Sequence, residues 1–388
     1  MTLQMKSTPL VLYLTDGTPM PAPLPKYRSR VTKDSDEACR LVRTERPSAV
    51  VIAARPEVVS ILVSRLHDST RHPIVAITPN EPREAIRVIR AGAYDAAIFG
   101  TLETVLDEAV AEGLRVDRGE PERLGPFEIL ELIGRGGMSS VYRAREGSNE
   151  VALKVLSPEL SVSQDFVDRF MRESTSAAKL SHPHLMQVFS HGRARWRLWM
   201  TMELVSGRTL DKILQETGRL DTARAVRLAR QLADGLGYAH AKGFIHRDIK
   251  PQNLVVDAAD KLKIMDFGLL KTVARDATPI TRSDEFVGTL LYASPEHIRG
   301  DRCDGRTDLY ALGVVLFEMV TGMRPFSAGD SMLLIRAKET NDLPFKVQQL
   351  NPECPAPIAA VIEKLIRPKP EERYPDAASV IQALDAAR

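Results

Sequence analysis

The sequence predicts an α/β domain at the N-terminus, followed by a β-rich lobe and then an α-rich lobe. Three observations predict it. From Pro9 to about Val116, short β-branched runs alternate with helical patterns, as in a small parallel sheet with helices between its strands. Past a polar segment, strand-like stretches surround a glycine cluster. Beyond Gly207 most strongly periodic segments have the spacing of helices. At 388 residues, 44% of them hydrophobic, the chain can fill two or three compact cores.

In the first region PLVLYL, SAVVIAA, HPIVAIT and YDAAIFG read as strands, and SDEACRLVRTER, EVVSILVSRLH, EPREAIRVIRAGA and TLETVLDEAVAEGL as helices. One stretch breaks the rhythm: TPMPAPLP, Thr18 to Pro25, has proline at every second position, which forbids a helix and predicts an extended loop. The polar segment RVDRGEPERLG, Arg115 to Gly125, has no apolar period and reads as a linker. The expected domains are therefore residues 1–115, a linker over 116–126, and a second region over 127–388, with lobes 127–205 and 206–388.

In the β-rich lobe FEILELIG, SSVYRAR and EVALKVL read as strands, Ser163 to Leu180 as a helix, and LMQVFSHG and RLWMTMEL as two further strands. The most apolar helical stretch, LYALGVVLFEMV from Leu309, is interrupted by Glu318. That comes before the ~20 apolar residues of a membrane span, so a buried core helix is expected.

A formal net charge of +2 with 27% charged residues leaves no basic or acidic bulk, so composition alone suggests neither nucleic acid nor a membrane surface as partner. Three widely spaced cysteines, Cys39, Cys303 and Cys354, form no C-x-x-C pair and fit free thiols in a reducing, cytoplasmic compartment.

Local sites carry more. IGRGGMSSVY, Ile133 to Tyr142, sets glycines between two strands, which either serve a tight turn or bring backbone N–H groups up to a phosphate. VALK then places Lys154 on the next strand. In the helix that follows, Phe166, Phe170, Ala177 and Leu180 share one stripe, with Glu173 in its middle. An inward carboxylate is costly unless a cation meets it. Lys154 is the better candidate, a surface pair with Arg169 the alternative.

FIHRDIKPQNLVV, Phe244 to Val256, concentrates a carboxylate (Asp248), an ammonium (Lys250) and an amide (Asn253) between apolar anchors. KIMDFGLL repeats the device with Asp266 after a short strand. Either loop alone could be a solvated charged turn. Together, Asn253 and Asp266 suit Mg²⁺, which takes one or two protein oxygens plus substrate phosphates, and Asp248 is left to act as a base. At average residue usage H-R-D-x-K-x-x-N arises by chance in only about one in ten thousand chains of this length.

On these residues the chain from about Phe127 onward resembles eukaryotic-type serine/threonine protein kinases, as found also in bacteria. The resemblance implies an α+β two-lobed protein kinase fold and ATP with Mg²⁺ as cofactors. It assigns Ile133, Gly134, Arg135, Gly136, Gly137, Met138, Ser139, Ser140 and Val141 to the loop over the nucleotide. Ala152 and Lys154 lie behind it, with Lys154 on the phosphates and Glu173 holding that lysine. Met202 would be the gatekeeper, and Glu203 to Val205 the hinge that offers backbone to adenine. Asp248 would be the catalytic base, Lys250 its companion, and Asn253 and Asp266 the metal ligands. Ser294-Pro295-Glu296 would end the activation segment, Asp308 would anchor the catalytic loop and Arg373 would pair with Glu296. Ser139 stands for the third glycine and Ser294 for an alanine; both are small. Lys250 and Thr289 look like the serine/threonine version. Thr278, Thr281 and Ser283 lie in the activation segment, and Thr281 and Ser283 are the expected autophosphorylation sites.

The N-terminal region is similar to the receiver domain of two-component response regulators, which implies an α/β, flavodoxin-like fold. PIVAIT followed by AIRVIRAGAYDAAIFG matches its fourth and fifth βα units, with Thr78 where a hydroxyl is common. The phosphoacceptor is missing: Ala53 ends the third strand. The lysine expected after the fifth strand is replaced near Phe99, and the proline-rich loop takes the place of the first helix. A degenerate, regulatory receiver is expected. The implied partners are protein substrates with Ser/Thr acceptors, with no nucleic acid and no membrane span. A homodimer through the N-terminal domain or the kinase N-lobe is compatible with the resemblance. The alternative reading is a pseudokinase scaffold that binds nucleotide without transfer.

Overall fold

The computed structural model describes residues 8–70, 72–78, 87–89, 93–97, 102–117, 123–136, 138–161, 163–194, 197–266, 290–326, 331–341 and 343–387. The chain divides into two compact units, Met1–Met171 with His191–Thr201, and Arg172–Ser190 with Met202–Arg388.

The first unit opens with five parallel strands: β1 (Leu10–Thr15), β2 (Arg28–Thr32), β3 (Ala49–Ala53), β4 (Ile74–Ile77) and β5 (Asp95–Ala97), in the order β2-β1-β3-β4-β5. Successive side chains of a strand point to opposite faces, and both faces of the central strands are covered, so β1, β3 and β4 are almost wholly apolar. Leu12, Leu14, Val50 and Ile52 pack on α1 (Ser35–Glu45) and α2 (Pro56–His67) through Ala38, Val42, Val59 and Val63. On the other face Val11, Tyr13, Val51 and Val75 meet Leu102, Leu106, Ala109 and Val110 of α3 (Leu102–Asp117). Helix α1 starts where the Asp34 carboxylate accepts from the N–H of Asp36 (2.7 Å) and Glu37 (3.4 Å), satisfying N–H groups that no helical carbonyl can reach. It ends at Arg46, in the left-handed region with φ 45°.

The connection from β1 to β2 carries no helix, as the prolines require. Met20, Leu24 and Tyr27 instead lie against the α3 side of the sheet. Lys26 Nζ reaches Glu103 Oε1 and Asp107 Oδ2 of α3, each at 2.8 Å, and the Tyr27 hydroxyl donates to Asp107 Oδ1 at 2.5 Å. Strand β2 escapes sequence reading because only Thr32 is buried; an edge strand of polar residues leaves no apolar alternation.

The same unit holds most of a second sheet. Its strands are β6 (Arg123–Leu124), β7 (Phe127–Arg135), β8 (Ser139–Glu146), β9 (Asn149–Leu156), β10 (Val188–Ala194) and β11 (Arg197–Met202), in the order β10-β11-β9-β8-β7-β6. Phe127, Leu153 and Val155 form its core, and Trp199 meets Phe127 edge-on at 4.7 Å. Gly192 permits that contact: a Cβ there would stand 2.7 Å from the Trp199 ring. Helix α4 (Gln164–Ala177) follows β9. Helix α3 runs on to Asp117, having met no glycine after Gly113 and no proline, and Leu124, 4% exposed, already belongs to the second sheet's core.

The second unit is mainly helical. After β12 (Arg208–Thr209) come α5 (Leu210–Thr217) and α6 (Thr222–Ala241), then β13 (Leu254–Val256) and β14 (Leu262–Ile264), which complete a small sheet in the order β12-β13-β14. The rest is α7 (Pro295–Arg299), α8 (Gly305–Thr321), α9 (Ser331–Thr340), α10 (Val347–Leu350), α11 (Ala356–Leu365) and α12 (Ala377–Ala386). Helix α8 is the axle, buried from Thr307 to Phe317, as the stretch LYALGVVLFEMV predicts. At Gly313 the α11 end approaches so closely that a Cβ would lie 2.5 Å from Leu365 Cβ. Among the described residues, no helix is long and apolar enough to cross a membrane.

Candidate active site

The polar loop between Phe244 and Val256 is held by one carboxylate. Asp308, in the first turn of α8, accepts from the backbone N–H of His246 at Oδ2 and of Arg247 at Oδ1, each at 2.8 Å. His240 Nε2, near the end of α6, lies 2.8 Å from Oδ2. Burial is the largest influence on this acid and pushes its pKa up, but His240 and the backbone donor outweigh it and leave the pKa below the ordinary value. Arg247 has φ 62°, a conformation that costs a non-glycine residue energy and persists where surrounding bonds over-determine it. Its N–H on Asp308 is such a bond.

His246, 0% exposed, links two loops. Its Nδ1 accepts from the Asp248 N–H at 3.2 Å, and its Nε2 lies 2.9 Å from the Met265 carbonyl. A ring that accepts at Nδ1 and meets a carbonyl at Nε2 is neutral and protonated at Nε2. Met265 N–H in turn donates to the Asn253 carbonyl at 2.8 Å. Asp266 follows, with φ 50°; aspartate is among the residues that tolerate that region.

Asp248 is therefore set by its backbone and then by its side chain. Asn253 Nδ2 donates to the Asp248 carbonyl at 2.8 Å and to its Oδ2 at 3.0 Å, and Lys250 Nζ lies 3.2 Å from the same Oδ2. The structure brings Asp248, Lys250 and Asn253 together, and Asp266 follows Met265, whose N–H binds the Asn253 carbonyl. A pocket opens beside them, lined in part by Asp248, Tyr292, Ala293, Ser294 and Thr307.

The lower wall is pinned by a buried pair. Arg373 donates through both terminal nitrogens to Glu296, at 2.7 and 2.8 Å, and Thr307 Oγ1 donates to Glu296 Oε1 at 3.0 Å. Burial raises the Glu296 pKa, but the Arg373 bonds and charge more than reverse it. Ser294, where alanine is usual, has a local use: its hydroxyl accepts from the His297 N–H at 3.4 Å and caps α7.

In the first unit the glycine-rich hairpin joins β7 to β8. Gly134 faces Val141 and Arg135 faces Ser140, with register shifts around Ile133, and Gly136 N–H donates to the Ser139 carbonyl at 2.8 Å. Ile133 and Met138 are exposed. Ala152 and Lys154, 5% and 7% exposed, sit on β9. On α4 the predicted stripe is buried at Phe166, Phe170, Ala177 and Leu180, with Glu173 half-buried between them. Met202 is buried and Val205 half-buried; the Glu203 N–H donates to the Gln187 carbonyl at 2.8 Å and its carboxylate meets Lys263 at 2.7 Å. Gly137, Thr278, Thr281, Ser283 and Thr289 lie outside the described residues.

A family model described as the protein kinase domain matches residues 127–384. The chain belongs to the protein kinase family. Its kinase domain is similar to a probable serine/threonine-protein kinase of Clostridium acetobutylicum, 36% identical over 66% of this chain and 39% of that protein. It is also similar to the serine/threonine-protein kinase PknB of Mycobacterium leprae, 36% identical over 66% of this chain and 42% of that one. This chain thus spans about two fifths of the length of those relatives. Among solved structures, the Mycobacterium tuberculosis PknI kinase domain aligns with a TM-score of 0.55 at 25% identity, over 69% of this chain and 99% of that one.

Sequence reading of the kinase domain missed His240 as a third ligand of Asp308 and the capping role of Ser294. A basic residue in the last turn of a helix usually serves the helix end, so His240 carries no separate signal. A serine directly before a proline and a glutamate is a legible cap.

Proposed function

We propose that the chain is a serine/threonine protein kinase that transfers the γ-phosphoryl group of ATP to protein hydroxyls. The observation that carries this is the Asp248 carboxylate, oriented by Lys250 and Asn253 in a loop anchored on Asp308. Asp248 accepts the proton of the acceptor hydroxyl as its oxygen bonds to the γ-phosphorus and the bond to the β-phosphate oxygen breaks, releasing ADP. By resemblance, Lys154, with Glu173 as its expected partner, and backbone N–H groups of the glycine-rich hairpin would hold the phosphates. Asn253 and Asp266 are hard oxygen donors tied together through Met265, a set that suits Mg²⁺ with phosphate oxygens. When bound, the metal neutralises charge on the phosphates. Three free thiols favour the cytoplasm as its compartment.

The N-terminal region is read as a degenerate receiver that regulates the kinase. The sheet order β2-β1-β3-β4-β5 supports this, since doubly wound sheets of the flavodoxin type share it. Ala53 ends β3 where a phosphoacceptor would stand. Asp16, just after β1, is engaged by the chain itself: Thr18 Oγ1 donates to it at 2.5 Å and Arg55 Nε at 3.0 Å. These bonds hold its pKa well below the usual carboxylate range.

Autophosphorylation at Thr281 and Ser283 would act through pairing of the new phosphate with arginine, Arg247 being near the base. The test compares phosphate transfer to a generic basic protein, and phosphopeptides, between the full chain and a fragment beginning at Leu124. Transfer by both at different rates is expected. Nucleotide binding without any transfer would favour the pseudokinase, and equal rates would remove the regulatory role.

A further inference from the structure

Lysine rarely lies wholly inside a protein, because its ammonium is strongly hydrated. Lys338 of α9 does, with 0% exposure. Its Nζ donates to the carbonyl oxygens of Leu291 and Ala293, each at 2.8 Å. It stands 5.2 Å from the ring centre of Tyr310 and 5.5 Å from that of Phe326, whose faces favour a cation. Burial pushes its pKa down to about 7. Even as a neutral amine it keeps two N–H donors, one for each carbonyl.

The two carbonyls belong to the residues just before Ser294-Pro295-Glu296. Between them, the Tyr292 hydroxyl donates to Glu318 Oε2 of α8 at 2.6 Å. Three consecutive residues are thus fastened to two helices, Leu291 and Ala293 to α9 and Tyr292 to α8. Tyr292, Ala293 and Ser294 also line the pocket that contains Asp248. The lysine holds, from behind, the wall that an acceptor chain would meet.

We propose that Lys338 is a positioning residue for the protein substrate: by clamping the Leu291 and Ala293 carbonyls it fixes where the acceptor hydroxyl stands before Asp248. This rests on the kinase reading and adds the part of the fold that sets acceptor placement. The role does not touch the nucleotide, which gives it a distinctive kinetic signature.

The test uses the full chain and its Lys338→Met, Lys338→Gln and Lys338→Arg variants. KM for a basic protein substrate and KM for ATP are measured separately, with hydrogen exchange of peptides covering residues 290–299. In Lys338→Met the protein KM rises about tenfold to a hundredfold, the size expected when buried acceptors lose their donor. ATP KM stays within about twofold, and exchange at 290–294 quickens. Lys338→Arg, which retains donors, recovers part of the loss. Should Lys338→Met fail to fold, Lys338→Gln carries the test with an intermediate rise. An unmoved protein KM, equal losses toward both substrates, or an arginine variant no better than methionine overturns the role. No transfer by the unaltered chain would overturn the kinase reading and this role together. Transfer by the unaltered chain with an unmoved protein KM in the variants overturns the role alone.

Discussion

Asp95 and Asp308 are both buried, at 4% and 1% exposure, and the two halves of the chain treat them in opposite ways. Asp95 opens β5 of the N-terminal sheet and accepts the adjacent Ala96 N–H at 2.7 Å. Burial dominates, Glu108 adds to it, Ala96 and Arg197 oppose it, and the pKa is pushed up to about 7. Asp308 is more deeply buried yet its pKa is lowered, because two backbone N–H groups and His240 converge on it. The contrast teaches that depth sets only the penalty for a charge. The partners decide whether the charge survives.

The largest expected effect tests whether a partnered acid in the kinase lobe is also a working one. Asp248→Asn should lower phosphate transfer by ~10²–10⁴ with nucleotide affinity nearly unchanged, whereas Asp16→Asn in the N-terminal sheet should leave transfer alone. Transfer assays with parallel nucleotide titrations read both, and an unchanged Asp248→Asn rate would end its assignment as base. Next in size, Arg373→Met strands Glu296 inside the lobe and should cost ~3–5 kcal/mol of stability, visible as a lower urea midpoint. A midpoint within error of the parent would mean that the Glu296 charge does not depend on Arg373.

The pH dependence should differ in sign between the halves. For Asp95 the folded pKa is raised, so between about pH 4 and 7 the folded state holds a proton that the unfolded state has lost. Stability of the N-terminal half therefore falls as pH rises through that window, by up to ~1.4 kcal/mol per pH unit, and Asp95→Asn should flatten the curve. Asp308 and Glu296 have lowered folded pKa values. Their contribution is present above the ordinary carboxylate range and is lost as pH falls through the folded values. Denaturant midpoints of each half across pH 4 to 8 measure the contrast, and parallel slopes would break it. The smallest effect is expected at Lys26→Ala, whose pairs with Glu103 and Asp107 are solvent-exposed. A slight shift in midpoint that vanishes in high salt would fit.

Much of the kinase lobe was legible because its chemistry is written in contiguous stretches. H-R-D-x-K-x-x-N places three side chains within six residues, and Lys250 and Asn253 both meet the Asp248 carboxylate. The axial helix α8 was legible from its long apolar run, interrupted at Glu318. What stayed hidden depends on distant chain. Strand β2 owes its place to pairing with β1, not to its own polar residues. Lys338 lies four residues after Leu334 on one face of α9, the same anomaly that singles out Glu173 in its apolar stripe. The carbonyls that receive it come from 45 and 47 positions away, and backbone acceptors leave no trace in composition. In the N-terminal region the prolines announced a missing helix, but not that Met20, Leu24 and Tyr27 would cover the bared face.

The convergence on Asp308 bears on where control of this enzyme can act. One side chain ties the end of α6, the start of α8 and two successive amides of the catalytic loop. These bonds fix the backbone at His246 and Arg247, directly before Asp248. On the proposed reading of Asp248 as base, an input is expected to act by admitting or misplacing the two reactants, with the base a fixed fitting.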